Sequence, residues 1–204
     1  MITLIDYGVG NIFAFQNVYK RLDIPTKIAK TAADLDDAQK LILPGVGAFD
    51  YAMAQLNNSG MRNKLDELVL ENKIPIIGIC VGMQMMGNRS DEGTSEGLKW
   101  IDADILKFDE GLIQQRTKLP HMGWNDVSPI KGQPLFEGLE QEAIFYFLHS
   151  FYFKCNNAVD SIAISDYGIP FTSAVNSNNV YGIQFHPEKS HQYGEKLLHN
   201  FAKL

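Results

Sequence analysis

The chain has 204 residues, and its 24 acidic and 18 basic side chains give a formal net charge of −6 at pH 7. This mild acidity argues against a protein that holds nucleic acid or an anionic membrane surface by bulk positive charge. Hydrophobic residues make up 45% and charged residues 21%, as in a globular domain rather than a disordered, coiled-coil or collagen-like chain. We therefore expect a single domain over residues 1–204 with a core of its own.

Apolar runs alternate with helical periodicity in the first half of the chain. Strands are predicted over 2–6, 25–29, 40–43 and 74–79, and helices over 11–22, 34–40, 49–56 and 61–71. Strands that alternate with helices indicate βαβ units, which build a parallel sheet with helices on both faces.

The second half is richer in strand-like segments. Strands are predicted over 101–108, 143–153, 161–167, 171–175 and 180–185, and a closing helix over 193–204. The glycines, asparagines and prolines between these segments indicate turns. The predicted fold is thus α/β, with an open, mostly parallel sheet, helices on both faces and antiparallel additions in the second half.

The two cysteines, Cys80 and Cys155, are too few for a disulfide framework, and neither lies in a pattern typical of a zinc site. The first ten residues, MITLIDYGVG, lack the basic start of a signal peptide. The longest uncharged stretch, residues 74–88, is too short to span a bilayer. We expect a reduced, cytoplasmic protein that contacts no membrane and no nucleic acid and uses no metal or cofactor.

The pattern Gly78-x-Cys80-x-Gly82 follows an apolar strand and precedes a probable helix. This is the nucleophile-elbow pattern with cysteine in place of serine, in which the glycines allow a tight, strained turn. A helix N-terminus behind the sulfur would favour a thiolate, and the amide of Val81 could point at a developing oxyanion. The alternative is a buried cysteine at the end of a core strand.

A second pattern, His186-Pro187-Glu188, lies at the end of another predicted strand. A thiolate nucleophile needs a base that can return a proton to the leaving group, and imidazole suits both tasks. The imidazole in turn needs an orienting carboxylate, which Glu188 could supply. The alternative is a His-Pro turn beside a solvated glutamate.

Two glycine-containing loops follow predicted strands. The loop Gly45-Val46-Gly47 can aim backbone N–H groups at an anion, but it lacks the Lys-Ser/Thr ending of a nucleotide phosphate loop. For residues 6–11 the preferred interpretation is a tight strand-to-helix turn, and the second interpretation is a wall of the site. The remaining candidates are interpreted as structural: His121, His149, His191, His199 and Cys155.

The segments PGVG, GICVGMQ and HPE, in this order, resemble the class I (triad) glutamine amidotransferases over essentially the whole chain. The resemblance implies that Cys80 attacks the side-chain amide of L-glutamine, with His186 as general acid and base and Glu188 as its orienter. It implies an oxyanion hole at Gly45, Val46 and Val81. It also implies substrate binding by Gly47, Gln84, His149, Ser150 and Phe151.

Within that family, the segments DYGVGN, PGVGAF, PHMGWN and QFHPEKS are similar to the glutaminase subunits of histidine biosynthesis. The resemblance implies a heterodimer with a (β/α)₈-barrel synthase, or cyclase, that takes up the ammonia, and it places Trp124 and Lys189 at the interface. Since 204 residues leave no room for an acceptor domain, we expect half of an enzyme, with low activity alone.

Other interpretations stay open at this point. Residues 85–93 depart from the histidine-pathway pattern and are closer to paralogues that supply ammonia to a sugar amidotransferase in surface-polysaccharide biosynthesis. A non-catalytic binding module and a cysteine hydrolase of the peptidase or chaperone type are further alternatives on this fold.

Overall fold

The computed structural model describes residues 1–130, 132–141 and 143–204. The strands are β1 (Ile2–Ile5), β2 (Thr26–Ala29), β3 (Leu41–Gly45), β4 (Ile76–Cys80), β5 (Arg89–Ser90), β6 (Ala103–Lys107), β7 (His121–Asp126), β8 (Ser128–Pro129), β9 (Ile144–His149), β10 (Phe151–Cys155), β11 (Ser161–Asp166), β12 (Pro170–Ser177) and β13 (Val180–Ile183). The α-helices are α1 (Ile12–Arg21), α2 (Phe49–Asn58), α3 (Arg62–Asp66), α4 (Val81–Met85) and α5 (His191–Lys203). Among the helices of the described ranges, none is long and apolar enough to cross a membrane.

The strands form one open, mixed sheet and a separate two-stranded ribbon. Neighbouring strands are parallel in the order β2-β1-β3-β4-β13. The sheet continues through β12, β10, β6 and β5, and antiparallel pairs join β13 to β12, β12 to β10 and β10 to β6. Strands β7 and β9 form the ribbon. The predicted open α/β sheet with antiparallel additions in the second half is confirmed.

The central strands of the parallel region are almost entirely apolar in sequence, and their position in the sheet explains why. Every residue of β1, β3 and β4 is buried, because both faces of these strands are covered. In the register of β3, β4 and β13, Gly45 pairs with Cys80 and Ile183 pairs with Ile79. The carboxyl ends of the three strands therefore meet at one edge, which carries the glycine loop, the cysteine turn and the start of the histidine segment.

One helix predicted in the first half was wrong, and a second was confirmed with a change of helix type. The helix predicted over 34–40 is a single 3₁₀ turn at Ala32–Leu35. The carboxylate of Asp34 accepts hydrogen bonds from the backbone N–H and the hydroxyl of Thr31, so this capping box fixes the turn further upstream. The helix predicted over 61–71 begins at Arg62 and continues as a π-helical turn at Glu67–Glu71.

The second half departs from prediction where the ribbon forms. The strand predicted over 143–153 is two strands, β9 and β10, that separate at Ser150 and join different sheets. The partner of β9, strand β7, was missed, because its polar and glycine residues hide the alternation of a half-buried strand. The closing helix begins at His191, two residues before the predicted start.

Candidate active site

Cys80 ends β4 and lies directly before α4, with φ +54° and ψ −112°. This conformation is strained for a residue with a side chain, and it is typical of functional turns. A Cβ on Gly82 would overlap the Leu43 carbonyl, and one on Gly78 would lie 2.6 Å from the Gly82 oxygen. The two glycines are thus required sterically, as the elbow pattern predicts.

The helix behind Cys80 is short. Helix α4 has only five residues, so few peptide dipoles add up at its N-terminus. The expectation that a helix dipole favours the thiolate stays a prediction, and it rests on this short helix. As the first helical residue, Val81 keeps an N–H group without an acceptor inside the helix.

His186 and Glu188 form a buried pair beside this turn. The Nδ1 atom of His186 lies 2.9 Å from Oε1 of Glu188, and the two side chains are 4% and 5% exposed. Burial alone would lower the pKa of His186, but hydrogen bonds to Cys80 and Glu188 outweigh it and raise that pKa above its ordinary value. The interpretation of Glu188 as a solvated side chain is therefore wrong.

One cavity of about 260 Å³ collects most of the predicted site residues. Its walls include Val46, Gly47, Cys80, Val81, Gln84, His149, Ser150, Phe151, His186 and Lys189. Gly45 lies behind the wall, where a Cβ would overlap the Gly82 backbone nitrogen. The predicted nucleophile, base, oxyanion-loop and substrate-binding residues therefore meet at one place.

The amide of Gln84 connects the elbow helix to the opposite wall. Its Nε2 donates to the Phe151 carbonyl at 3.2 Å and to Oε1 of Gln184 at 3.0 Å. The loop of residues 6–11 also supports the site, because the hydroxyl of Tyr7 donates to the Pro44 carbonyl at 2.7 Å. It thereby braces the strand that leads into the glycine loop.

Sequence reasoning missed Glu92 as a wall residue of the cavity. Its Oε2 accepts a hydrogen bond from the backbone N–H of Phe49 at the start of α2, 2.9 Å away. The two residues are 43 positions apart, so the sequence carries no local signal for this contact. The acidic side chain nevertheless changes the charge of the cavity, whose wall also includes Lys189.

The histidines His121 and His149, interpreted as isolated structural residues, form a direct pair. Nδ1 of His149 lies 2.7 Å from the Phe151 carbonyl, which can only accept, so this nitrogen carries the proton. Nε2 of His149 then accepts from Nδ1 of His121 at 2.9 Å. Burial lowers the pKa of His121 to about 4 and that of His149 to about 3, so both rings are neutral at pH 7. The pair ties β7 to the substrate wall.

Trp124 lies outside the cavity wall, on the exposed side of the ribbon. It is 46% exposed and stacks on His191, which was interpreted as structural, at 5.3 Å between ring centroids. Its edge meets Tyr146, and Nζ of Lys189 lies 5.5 Å from the Tyr146 ring. Trp124 and Lys189 thus belong to one surface strip beside the cavity, which we call the Trp124 strip.

Residues 3–204 match the glutamine amidotransferase class-I family. The chain belongs to this family and is a glutamine-hydrolysing enzyme. In fold it is similar to a solved structure described as a glutamine amidotransferase, with a TM-score of 0.77, 19% identity and coverage of 99% of this chain and 97% of that one.

Its curated relatives refine the comparison over the full length. The chain is 55% identical to the imidazole glycerol phosphate synthase subunit HisH of Bdellovibrio bacteriovorus and 48% identical to that of Leptospira interrogans. Both alignments cover 100% of this chain and 100% of the relative.

Proposed function

We propose that this chain works as the glutaminase subunit of an imidazole glycerol phosphate synthase, hydrolysing L-glutamine and passing ammonia to a synthase partner in histidine biosynthesis. The full-length similarity to subunits of that name supports the proposal. The observation that carries it is the buried His186–Glu188 pair, held beside Cys80 in a cavity that also contains the glycine loop.

In the first half of the reaction, the Cys80 thiolate attacks the side-chain amide carbon of glutamine. The resulting oxyanion is stabilised by backbone N–H groups at Gly45, Val46 and Val81. His186, protonated through its pairing with Cys80 and Glu188, gives its proton to the departing nitrogen. The C–N bond breaks, ammonia leaves and a glutamyl thioester remains on Cys80.

In the second half, His186 accepts a proton from a water molecule that attacks the thioester carbon. The C–S bond breaks, the new side-chain carboxyl group gives its remaining proton to solvent and leaves as glutamate, and the Cys80 thiolate and protonated His186 are restored. Glu188 holds the ring through Nδ1, so that Nε2 is the atom that moves the proton.

The walls of the cavity suit a free amino acid. Glu92 is acidic and supplies the charge complement of the substrate's α-ammonium group. Gln84 and the backbone of 149–151 face the same space and offer amide groups to the rest of the substrate. We infer that these residues, with Gly47, orient the glutamine so that its side-chain amide reaches Cys80.

Ammonia released into water at neutral pH is protonated and lost as a nucleophile, so it must pass directly to an acceptor site. The Trp124 strip fits a docked partner, because Trp124 is 46% exposed and Met122, two residues earlier on β7, adds an apolar side chain that is 62% exposed. We propose a (β/α)₈-barrel cyclase as this partner, in a cytoplasmic heterodimer in which residues 1–204 form one glutaminase domain.

The decisive assay measures glutamate formation from glutamine, with and without the barrel cyclase encoded in the same genome. We expect slow turnover alone, strong stimulation by the cyclase, and loss of both in Cys80→Ala. Stimulation by a sugar amidotransferase and not by the cyclase would move the chain to surface-polysaccharide synthesis. Intact glutamine together with cleavage of a peptide would make it a hydrolase of another class.

A further inference from the structure

Gln184 is a fully buried polar side chain that the triad chemistry does not use. It lies two residues before His186, just after β13. Its Nε2 donates to Sγ of Cys80 at 3.7 Å, and its Oε1 accepts from Nε2 of Gln84 at 3.0 Å. Since a buried amide is costly unless its polar atoms are paired, both ends of this side chain are engaged by the site.

The orientation of the Gln184 amide follows from its neighbours. Gln84 donates its Nε2 to the Phe151 carbonyl, which can only accept, so the NH₂ group of Gln84 is placed by this contact. Gln184 must then present its oxygen to that NH₂ group. Its own NH₂ group is left directed at the sulfur of Cys80.

The sulfur has a different best partner in each protonation state. As a thiol, Cys80 can donate to the Leu148 carbonyl, 3.8 Å away. As a thiolate it cannot donate, and it then accepts from His186 and from the NH₂ group of Gln184. Since α4 is only five residues long, these side chains carry much of the stabilisation that a long helix would provide.

We propose that Gln184 is a further catalytic residue, which stabilises the Cys80 thiolate through its NH₂ group and fixes Gln84 for the substrate. The second role rests on the proposed glutaminase function, whereas the first concerns Cys80 itself. The backbone N–H of Gln184 donates to the Ser173 carbonyl at 2.9 Å, so the main chain stays anchored when the side chain is changed.

The test measures the rate of Cys80 alkylation by iodoacetamide against pH, in a Cys155→Ser background and in complex with the cyclase. Gln184→Met keeps the length and removes both polar contacts. Loss of a hydrogen bond to a charged group should lower the alkylation rate constant of Cys80 at neutral pH by about tenfold. Glutamine turnover should fall by about tenfold or more in kcat.

Ser173→Ala is the matched control, because it removes a buried polar group, the Ser173 hydroxyl, on the neighbouring strand β12 and leaves the contacts of the Cys80 sulfur in place. It should leave the alkylation profile unchanged. The titratable groups that face Cys80 are the same in all variants: Tyr7, Glu92, His149, His186 with Glu188, and Lys189. If Gln184→Met does not fold, Gln184→Asn replaces it, because the shorter amide cannot reach the sulfur.

The outcomes separate the two proposals. An alkylation profile of Gln184→Met that superimposes on the parent overturns the role of Gln184, whatever happens to turnover. A shifted profile in a chain that never hydrolyses glutamine supports the thiolate role and overturns the glutaminase function instead.

Discussion

The two walls of the cavity are positioned by different physical means. The wall that carries Cys80 is set by backbone sterics, through a positive φ, two close glycines and the register of three parallel strands. The opposite wall, residues 148–151, is held by buried side chains, above all the His121–His149 pair. The geometry of the first wall should therefore be insensitive to pH but easily disrupted by substitution. The stability of the second wall should fall when its histidines are protonated.

The largest effect is expected from a substitution that removes the base of the triad. His186→Asn leaves Cys80 without the group that moves its proton, so kcat for glutamine should fall by about a thousandfold or more. Glu188→Gln keeps the shape and loses only the charge that orients His186, so a smaller loss is expected. Steady-state kinetics of both variants in complex with the synthase partner measure the two losses. A larger loss in Glu188→Gln than in His186→Asn would contradict the triad.

A methyl group at the elbow tests the backbone wall. In Gly82→Ala the new Cβ overlaps the Leu43 carbonyl, which is backbone and cannot rotate away. We expect destabilisation of about 2–3 kcal/mol, together with loss of activity as Cys80 shifts. Urea unfolding of the variant measures the destabilisation, and glutamine turnover measures the loss of activity.

Gly47→Ala is the matched control for that substitution. Gly47, unlike Gly82, has a positive φ, +83°, but an added Cβ meets no atom within 4 Å among the described residues. Its cost should be limited to backbone strain, about 1 kcal/mol. Equal destabilisation of the two variants would show that steric overlap at Gly82 is not what fixes the elbow.

The histidine wall should weaken in acid. Burial lowers the pKa of His121 to about 4 and that of His149 to about 3, from 6.5, so between pH 6.5 and about 4 the unfolded chain binds more protons than the folded one. Their contribution to stability is complete above pH 6.5 and falls below it, by up to about 1.4 kcal/mol per pH unit for each histidine.

This loss is measured by urea unfolding at several pH values. The double variant His121→Phe/His149→Phe keeps the aromatic packing and removes both titrating rings, so its stability should change less between pH 6.5 and 4. Identical slopes in the double variant and the parent would assign the acid sensitivity to other groups, such as Asp50, whose pKa is lowered by hydrogen bonds from Thr94 and Ser95.

The smallest effect on the isolated chain is expected at the Trp124 strip. Because Trp124 is 46% exposed, Trp124→Ala should change the free energy of unfolding by less than about 1 kcal/mol. Affinity for the synthase partner should nevertheless fall by about tenfold or more, since exposed tryptophans often anchor interfaces. Calorimetric titration that shows unchanged affinity would remove Trp124 from the interface.

The prediction from sequence succeeded where the physical requirement is local. The elbow needs glycines two residues on either side of Cys80, and the orienter of His186 is two residues away, so short motifs carry this information. The predictions failed where a contact depends on pairing between distant strands. The ribbon that brings His121 to His149 was missed, and so was the contact of Gln184 with Cys80, which spans 104 residues.

By itself the sequence determined the α/β fold class and the candidate nucleophile, base and orienter, because steric and spacing rules act over a few residues. Only the tertiary structure decided what surrounds the sulfur. It ended the helix behind Cys80 after five residues, placed Gln184 beside Sγ and put Glu92 in the cavity wall. The reason is physical: burial and hydrogen-bond partners are properties of the packed chain, and these set the charge state of a reactive group.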